Sequence, residues 1–335
     1  MDIPGLLEKY KHHFSFSVEI TPPIRGKSID TIFSVINEIR DFGPQWIDVT
    51  SHSAGIEWVK NDESETYKKR RYRKSPGTIA ICAAIEHKFN IPTVPHLLCH
   101  GFTREETEDA LIDLHYLGIK NVLAIRGDGT PKNPPVGRSK NNYALDLVAQ
   151  IEQMNCGHYL YQEAQESDFC VGVACYPEKH FEAPNFNFDI EHLKKKQNAG
   201  AKYCLTQMFF DNQKFFEFEK KLQKQVHIPV IPALKIFTRK EQLVSISKNF
   251  HVEIPQALVD RVEKYSKPED IQKIGVEWAL EQCEELIAEG HSHIHFYIMK
   301  QTRPLVELLS KLSTNESNSI SFASPSMDQQ SIGAR

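Results

Sequence analysis

The sequence predicts an α/β protein, a single-domain (β/α)8 barrel of the TIM type with an extra helix between strands 7 and 8. Three observations support this fold. Eight short β-rich runs recur along the chain, helical patterns separate most of them, and no dinucleotide-binding glycine fingerprint follows the first run. Alternating strands and helices imply a parallel sheet with helical crossovers, and eight such units favour closure into a barrel. An open doubly wound sheet is the alternative.

The predicted strands are rich in β-branched and aromatic residues. They are residues 14–20, 46–51, 93–99, 121–127, 169–176, 203–210, 230–235 and 294–299. In the first strand, "FSFSVEI", apolar residues alternate with Ser15, Ser17 and Glu19, as on a strand with two different faces. Pro22 and Pro23 then end the strand, because proline has no backbone donor for the sheet. Glu19 is therefore expected at the carboxyl end of this strand, on its less apolar face.

Helix signals lie between the strands. Thr103 with Glu106, and Thr238 with Glu241, each predict a capping box at a helix start. The longest connection, between the seventh and eighth strands, carries an extra helix around "IPQALVDRVEKY" besides the crossover helix at "GVEWALEQCEELIAEG". We expect residues 1–312 to form the barrel. Residues 313–335, rich in Ser, Asn and Gln, are expected to form a disordered tail.

Composition excludes several classes of function. The chain has 335 residues, 40% hydrophobic and 25% charged, with a formal net charge of −4, so no nucleic-acid partner is expected. The one basic run, Lys68 to Lys74, follows acidic residues and favours a solvated loop or helix face over a polyanion site. Seven cysteines without a CxxC pair indicate reduced thiols, and neither a membrane span nor a signal peptide is predicted. These features favour a cytoplasmic protein.

Polar residues recur at the carboxyl ends of the predicted strands, where barrel enzymes carry their chemistry. They are Glu19, Thr50, His96, Arg126 with Asp128, Tyr176, Gln207, Lys235 and Tyr297. Any one of them has a structural interpretation, since Glu19 could cap a helix or pair with Arg126, but a polar group at each end predicts a site.

Other motifs for chemistry are lacking. His291, His293 and His295 share a strand parity without a spaced carboxylate or cysteine, so no metal site is predicted. No G-x-S-x-G elbow, Walker loop or H-E-x-x-H motif is present, so acyl hydrolysis, P-loop chemistry and zincin chemistry lack support.

Taken together, these strand ends resemble those of the methylenetetrahydrofolate reductase family. The matching segments are "SVEITPP", "VPHLLC", "VLAIRGD", "ACYPEKHFEA", "HLKKKQNAGA" leading to "TQMFFD", and "HFYIM", in the family's order. The resemblance implies FAD-dependent reduction of 5,10-methylenetetrahydrofolate to 5-methyltetrahydrofolate, which feeds methionine synthesis. It also implies a ping-pong mechanism in which NADH or NADPH reduces FAD and leaves before the folate binds.

The resemblance also implies roles for individual residues. Glu19 would be the general acid, Asp128 would lie beside the flavin and favour the cationic form of the substrate, and Gln207 with Gln242 would hold the pterin. FAD contacts are implied for Thr50, His96, Arg126, Gly127, Asp128, Tyr143, Ala144, Tyr176, His180, Ala183, Asp189 and Lys196. Burial of Glu19 under two ring systems is expected to raise its pKa towards the range of a general acid, and Ser15 and Ser17 beneath it would leave room.

Two alternatives remain beside this function. One is another FAD-containing barrel oxidoreductase of the proline dehydrogenase type, and the other is a catalytically idle barrel that binds folate or a partner protein. A homo-oligomer is expected, and the donor, NADH or NADPH, is not readable outside a Rossmann unit. The chain departs from the family's pattern at "KQTR" (Lys300 to Arg303), at "PALK" and in the long charged loop 53–75.

Overall fold

The computed structural model describes residues 1–61, 65–127, 139–314 and Ala323. In chain order, its strands are β1 (Ser15–Ile20), β2 (Ile47–Val49), β3 (Gly55–Lys60), β4 (Tyr67–Tyr72), β5 (Thr93–Leu98), β6 (Asn121–Ile125), β7 (Cys170–Cys175), β8 (Ala201–Thr206), β9 (Val230–Ile231), β10 (Ala233–Leu234) and β11 (His293–Met299). The main sheet is parallel and runs in the order β10-β11-β1-β2-β5-β6-β7-β8-β9. Because β9 and β10 are halves of one strand position, separated by Pro232, the sheet closes and the predicted (β/α)8 barrel is confirmed.

Helices connect and surround these strands. In chain order, they are α1 (Ile3–Lys9), α2 (Asp30–Ile39), α3 (Thr78–Phe89), α4 (Arg104–Tyr116), α5 (Ala144–Asn155), α6 (Phe186–Asn198), α7 (Asn212–Leu222), α8 (Lys240–Phe250), α9 (Gln256–Glu263), α10 (Pro268–Ala288) and α11 (Arg303–Thr314), with a 3-10 turn at Arg40–Phe42. The extra helix predicted between the seventh and eighth strands is α9, which precedes the crossover helix α10. Among the described residues, no helix is long and apolar enough to cross a membrane.

One of the two predicted capping boxes is confirmed. At the start of α4, the Thr103 hydroxyl accepts from the Glu106 backbone N–H at 3.0 Å, and the Glu106 carboxylate accepts from the Thr103 N–H at 2.8 Å. The box predicted from Thr238 and Glu241 is wrong. There the side chain of Gln242, one residue further on, accepts from the Thr238 N–H at 2.7 Å.

Strand alternation divides the core into two layers. Outward-facing residues such as Val18, Val173 and Phe296 pack against the helices, while inward-facing residues fill the barrel. Helix α1 closes the amino-terminal end, where Ile3 and Leu6 join the inner apolar cluster. The Ile3 N–H also donates to the Asn121 side chain at 3.0 Å. Helix α1 therefore covers the amino-terminal end of the barrel interior.

The charged loop 53–75 contains an antiparallel hairpin formed by β3 and β4. Most of the basic run Lys68 to Lys74 lies on β4, so the prediction of a loop or helix face is wrong, although residues 65–70 are exposed as expected. Trp58 on β3 is 64% exposed. The hairpin therefore projects from the carboxyl rim of the barrel, where β2 ends.

The C-terminal segment is described in part. Residues 313 and 314 complete α11, whereas residues 315–322 and 324–335 of the predicted tail lie outside the described residues. Ala323 is buried and its N–H donates to the Phe14 carbonyl at 2.9 Å. This contact joins the segment to the amino end of β1.

Candidate active site

Polar side chains occupy the lower interior of the barrel. Ser15 Oγ lies 2.8 Å from His293 Nδ1, and Ser17 Oγ lies 3.0 Å from His293 Nε2 and 2.8 Å from His295 Nδ1. Trp46 stacks on the His293 ring with centroids 4.2 Å apart. The imidazole rings of His293 and His295 thus fill the space beside the small side chains of Ser15 and Ser17. Together these residues form a hydrogen-bonded layer, called the floor here, beneath Glu19.

Three buried titratable groups meet above this floor. Glu19 on β1 pairs in register with Asp48 on β2, and His96 projects from β5 beside them. His96 Nε2 lies 3.3 Å from Asp48 Oδ1 and 3.6 Å from Glu19 Oε2. The exposed fractions are 6% for Glu19, 1% for Asp48 and 5% for His96. One imidazole nitrogen is therefore shared by two carboxylates that are nearly cut off from solvent.

The two carboxylates shift the protonation of His96. Burial alone would lower the pKa of His96, but the hydrogen bond to Asp48 and the negative charges of Glu19 and Asp48 raise it above its usual value. Burial lowers the pKa of His295 to about 4, and the positive charge of His96 acts in the same direction. His96 is therefore the imidazole in this group that favours its charged form.

A lysine stands beside this group at the end of β10. The Lys235 ammonium donates to the Tyr297 carbonyl at 2.5 Å, and the Tyr297 hydroxyl donates to the Thr206 carbonyl at 2.6 Å. Burial lowers the pKa of Lys235 to about 8, while the negative charge of Glu19 opposes the shift. Lys235 thus brings a readily deprotonated cation close to Glu19.

A second polar cluster forms at the rim above β6 and β7. Arg126 pairs with Glu182 at 2.5 Å, and the His180 N–H donates to the Asp189 carboxylate at 2.9 Å. The rings of Tyr176 and His180 meet edge to face at 4.6 Å. The remaining predicted cofactor contacts on this side are Gly127, Tyr143, Ala144, Ala183 and Lys196, of which Tyr143 is exposed and Ala183 buried.

Lys196 and Thr50 are two further polar groups at the carboxyl rim. The Lys196 ammonium donates to the Ala174 carbonyl at 3.1 Å, and burial lowers its pKa although Asp189 opposes the shift. The Thr50 hydroxyl at the end of β2 is buried and has no hydrogen-bond partner among the described residues. Gly127 has a φ of +90°, and an added Cβ would lie 3.3 Å from His100. A side chain at this position would therefore be strained and crowded. A buried cation and an unpartnered hydroxyl are groups that a phosphate-bearing cofactor can satisfy.

The three residues predicted to act on the substrate differ in where they lie. Gln207 follows β8 at the carboxyl rim, and its Oε1 accepts from the Met208 N–H at 3.0 Å. Gln242 lies on α8, where its Oε1 accepts from Thr238. Asp128 lies outside the described residues. The structure thus places Glu19 and Gln207 at the same rim. The side-chain oxygen of Gln242 is instead hydrogen-bonded to Thr238 at the start of α8.

The sequence prediction missed Asp48. A carboxylate at the centre of a three-residue strand whose every position is buried was the available signal, because a buried charge requires a partner. The histidines of the run His291 to His295 have other partners. His291 lies 3.3 Å from Glu219, His293 and His295 bond the serines, and the described residues contain no group of three metal-binding side chains.

The fold and this rim define the class: a (β/α)8 barrel with acid, base and cation side chains at the carboxyl ends of its strands, the position at which enzymes of this fold work. The chain belongs to the methylenetetrahydrofolate reductase family. A family model described as methylenetetrahydrofolate reductase matches residues 6–313.

Individual relatives agree. Methylenetetrahydrofolate reductase 1 of Schizosaccharomyces pombe is 30% identical over 91% of this chain, which spans 47% of that protein's length. The 5,10-methylenetetrahydrofolate reductase of Buchnera aphidicola is 26% identical, and the match covers 88% of this chain and 91% of the relative.

A solved structure shows the same fold. A protein from Clostridium thermocellum, described as binding two copies of 5-methyl-5,6,7,8-tetrahydrofolic acid, superposes with a TM-score of 0.55 at 13% identity. The superposition covers 92% of this chain and 99% of that one.

Proposed function

We propose that the chain reduces 5,10-methylenetetrahydrofolate to 5-methyltetrahydrofolate, with NADH or NADPH as donor and FAD as cofactor, in a ping-pong reaction that feeds methionine synthesis. One observation carries the proposal: Glu19, in a chain of this family, is a buried carboxyl group at the carboxyl rim, 3.6 Å from a buried histidine. Such a group can hold a proton and release it to a substrate nitrogen.

The proposed role of Glu19 is to donate its proton as the five-membered ring of the folate opens. The carbon–nitrogen bond breaks, the nitrogen takes the Glu19 proton, and the methylene carbon becomes an electrophile that accepts hydride. Gln207 at the same rim would orient the pterin by hydrogen bonds, and Gln242 would assist through its amide nitrogen. Asp128 is proposed to stabilise the positive charge that develops on the substrate.

The second polar cluster would hold the cofactor. Lys196 and Arg126 would offset the charge of the pyrophosphate, and the Thr50 hydroxyl would gain the partner that it lacks among the described residues. FAD, when bound, supplies the hydride carrier that no side chain provides. His180, Tyr176 and Asp189 would add polar and aromatic contacts to the bound cofactor.

A visible absorption spectrum of the purified protein tests the cofactor. We expect a flavin spectrum that NADH or NADPH bleaches without oxygen, and that 5,10-methylenetetrahydrofolate restores. Colourless protein that takes up no added FAD would contradict the proposal. Flavin that is reduced by proline would instead favour the proline dehydrogenase type.

Glu19→Gln tests the acid directly. The variant keeps the size and hydrogen-bonding capacity of the side chain but removes its proton, and a general acid contributes about 10²–10⁴-fold to rate. We expect reoxidation of the reduced flavin by the folate to fall about 10²-fold or more, while NAD(P)H still reduces the flavin. Glu57→Gln on the exposed hairpin is the control. If Glu19→Gln left the protein's biological role intact, the idle-barrel alternative would be favoured.

We further propose that the protein works in the cytoplasm as a homo-oligomer. The seven cysteines are all free, as in a reducing compartment, and Tyr116 and Val244 present apolar side chains that are 81% and 72% exposed on α4 and α8. Cell fractionation and sedimentation velocity test the two statements. A monomer at micromolar concentration would contradict the second.

A further inference from the structure

We propose that Asp48 is a positioning residue for the acid Glu19, and that it acts through the imidazole of His96. The inference rests on the proposed function, because it concerns the proton that Glu19 delivers to the folate. It adds a residue to the site that neither the strand-end pattern nor the family resemblance identified.

Asp48 is held in place by its neighbours on both oxygens. Oδ2 accepts from the Trp46 indole N–H at 2.9 Å, and His295 Nδ1 lies 3.7 Å from the same oxygen. Oδ1 faces His96 Nε2 at 3.3 Å. These contacts fix the position of the Asp48 carboxylate charge at the base of the site.

His96 transmits that charge to Glu19. Its Nε2 lies 3.3 Å from Asp48 and 3.6 Å from Glu19, so a single imidazolium faces two carboxylates. With both carboxylates ionised, the trio carries one excess negative charge in a buried place. A proton on Glu19 removes that excess. Asp48 thus satisfies the imidazolium and leaves Glu19 free to hold the proton that it must deliver.

Other titratable groups face this trio from the surrounding strands. Lys235 at the end of β10 acts on Glu19, His295 and Tyr297 project from β11, and Tyr203 projects from β8 towards Asp48. Burial raises the pKa of Tyr203 and of Tyr297, so both hydroxyls stay neutral. Burial holds His295 neutral above about pH 4. Among these described neighbours, Lys235 is the one whose charge changes near neutral pH.

Asp48→Asn removes the fixed charge and keeps the shape. Of the two carboxylates against His96, Glu19 alone would then remain. A one-to-one pair with the imidazolium favours ionised Glu19, because an opposite charge within about 4–6 Å stabilises the charged form. The acid would therefore be lost at neutral pH and regained only at lower pH.

The two half-reactions of the FAD-loaded enzyme separate this role from a structural one. Reduction of the flavin by NADH or NADPH takes no proton from Glu19, whereas reoxidation by 5,10-methylenetetrahydrofolate does. In Asp48→Asn, we expect the folate half-reaction at pH 7.5 to fall at least 10-fold and its pH profile to move about one unit to lower pH. The NAD(P)H half-reaction, and turnover with menadione as acceptor, should stay within twofold of wild type.

Trp46→Phe provides a second test that keeps the Asp48 carboxylate. It removes the indole N–H that holds the Asp48 carboxylate in place, so we expect a shift of the folate half-reaction in the same direction but only a few-fold in size. This variant decides the matter if Asp48→Asn does not fold.

Two outcomes overturn the inference. The first is an unshifted pH profile of the folate half-reaction in Asp48→Asn, or in Trp46→Phe if only that variant folds. The second is an equal fall in the rates of both half-reactions. In either case a wild-type enzyme that completes both half-reactions leaves the proposed function standing. A wild-type flavin that the folate never reoxidises would overturn the proposed function and the role of Asp48 together.

Discussion

Replacing His295 by asparagine should change how the stability of the barrel depends on pH. His295 is fully buried, its Nδ1 lies 2.8 Å from Ser17 Oγ, and its Nε2 has no hydrogen-bond partner among the described residues. A proton on Nε2 would therefore be a buried charge without a partner, which is why burial lowers the pKa of His295 to about 4 from 6.5. Asparagine retains a donor towards Ser17 but cannot be protonated.

The sign and size of the effect follow from this pKa. Above pH 6.5 neither the folded nor the unfolded chain carries a proton on His295. Between pH 6.5 and about 4 only the unfolded chain does, so the free energy of unfolding falls as the pH falls. One proton corresponds to about 1.4 kcal/mol per pH unit, and the whole window to about 3 kcal/mol. Below about pH 4 both states are protonated and this contribution ends.

Urea unfolding of wild type and His295→Asn, followed by tryptophan fluorescence at several pH values from 7.5 to 4.5, measures this difference. We expect the variant to lose less stability than wild type on acidification, by about 1 kcal/mol for each pH unit below 6. Both proteins contain the same carboxylates, so the difference between their two curves reports on position 295. Parallel curves with a constant offset would refute the assignment of a neutral, low-pKa imidazole to this position.

Two further substitutions test the barrel wall and the cofactor rim. Gly172→Ala should destabilise the fold by about 1–3 kcal/mol, because the added Cβ would lie 2.2 Å from the Tyr203 ring. Gly55→Ala on the hairpin meets only an ordinary contact at 3.9 Å and is the control, and a urea midpoint for Gly172→Ala equal to that of Gly55→Ala would contradict this packing. Thr50→Val should leave the apoprotein at least as stable, since it removes an unpartnered buried hydroxyl, yet weaken FAD binding by about 5- to 10-fold. Unchanged FAD affinity in a fluorescence titration would remove Thr50 from the cofactor site.

Local patterns in the sequence were sufficient to predict the barrel strands, because each strand is a short apolar run whose alternate residues face different layers. The first strand shows this most clearly: Ser15, Ser17 and Glu19 face inward in the structure, as the alternation indicated. The seventh strand was predicted as one run, 230–235, but is divided at Pro232, which has no N–H to offer to a neighbouring strand. The hairpin was missed because charged residues obscure the alternation of β3 and β4.

The site was harder to predict where it depends on pairing between distant residues. Glu19 and His96 were identified from their positions at strand ends, but their separation depends on the register of β1, β2 and β5. Asp48 was missed because its partners lie 48 and 247 positions away in the chain, so its place in a short apolar strand was the single local sign of its role. Gln242 was assigned to the pterin, and only the structure shows its oxygen bonded to Thr238.

Helix α1 has a consequence for the order in which the molecule assembles. It is the earliest element in the sequence, yet it packs against β8 and belongs to an inner apolar cluster whose members come from all around the barrel, Trp46 and Leu123 among them. During synthesis the apolar side of α1 therefore stays exposed until β8 has been added, about two hundred residues later. Docking of α1 therefore indicates that β8 and the strands before it have assembled, so a fluorophore on this helix would time a late step of folding.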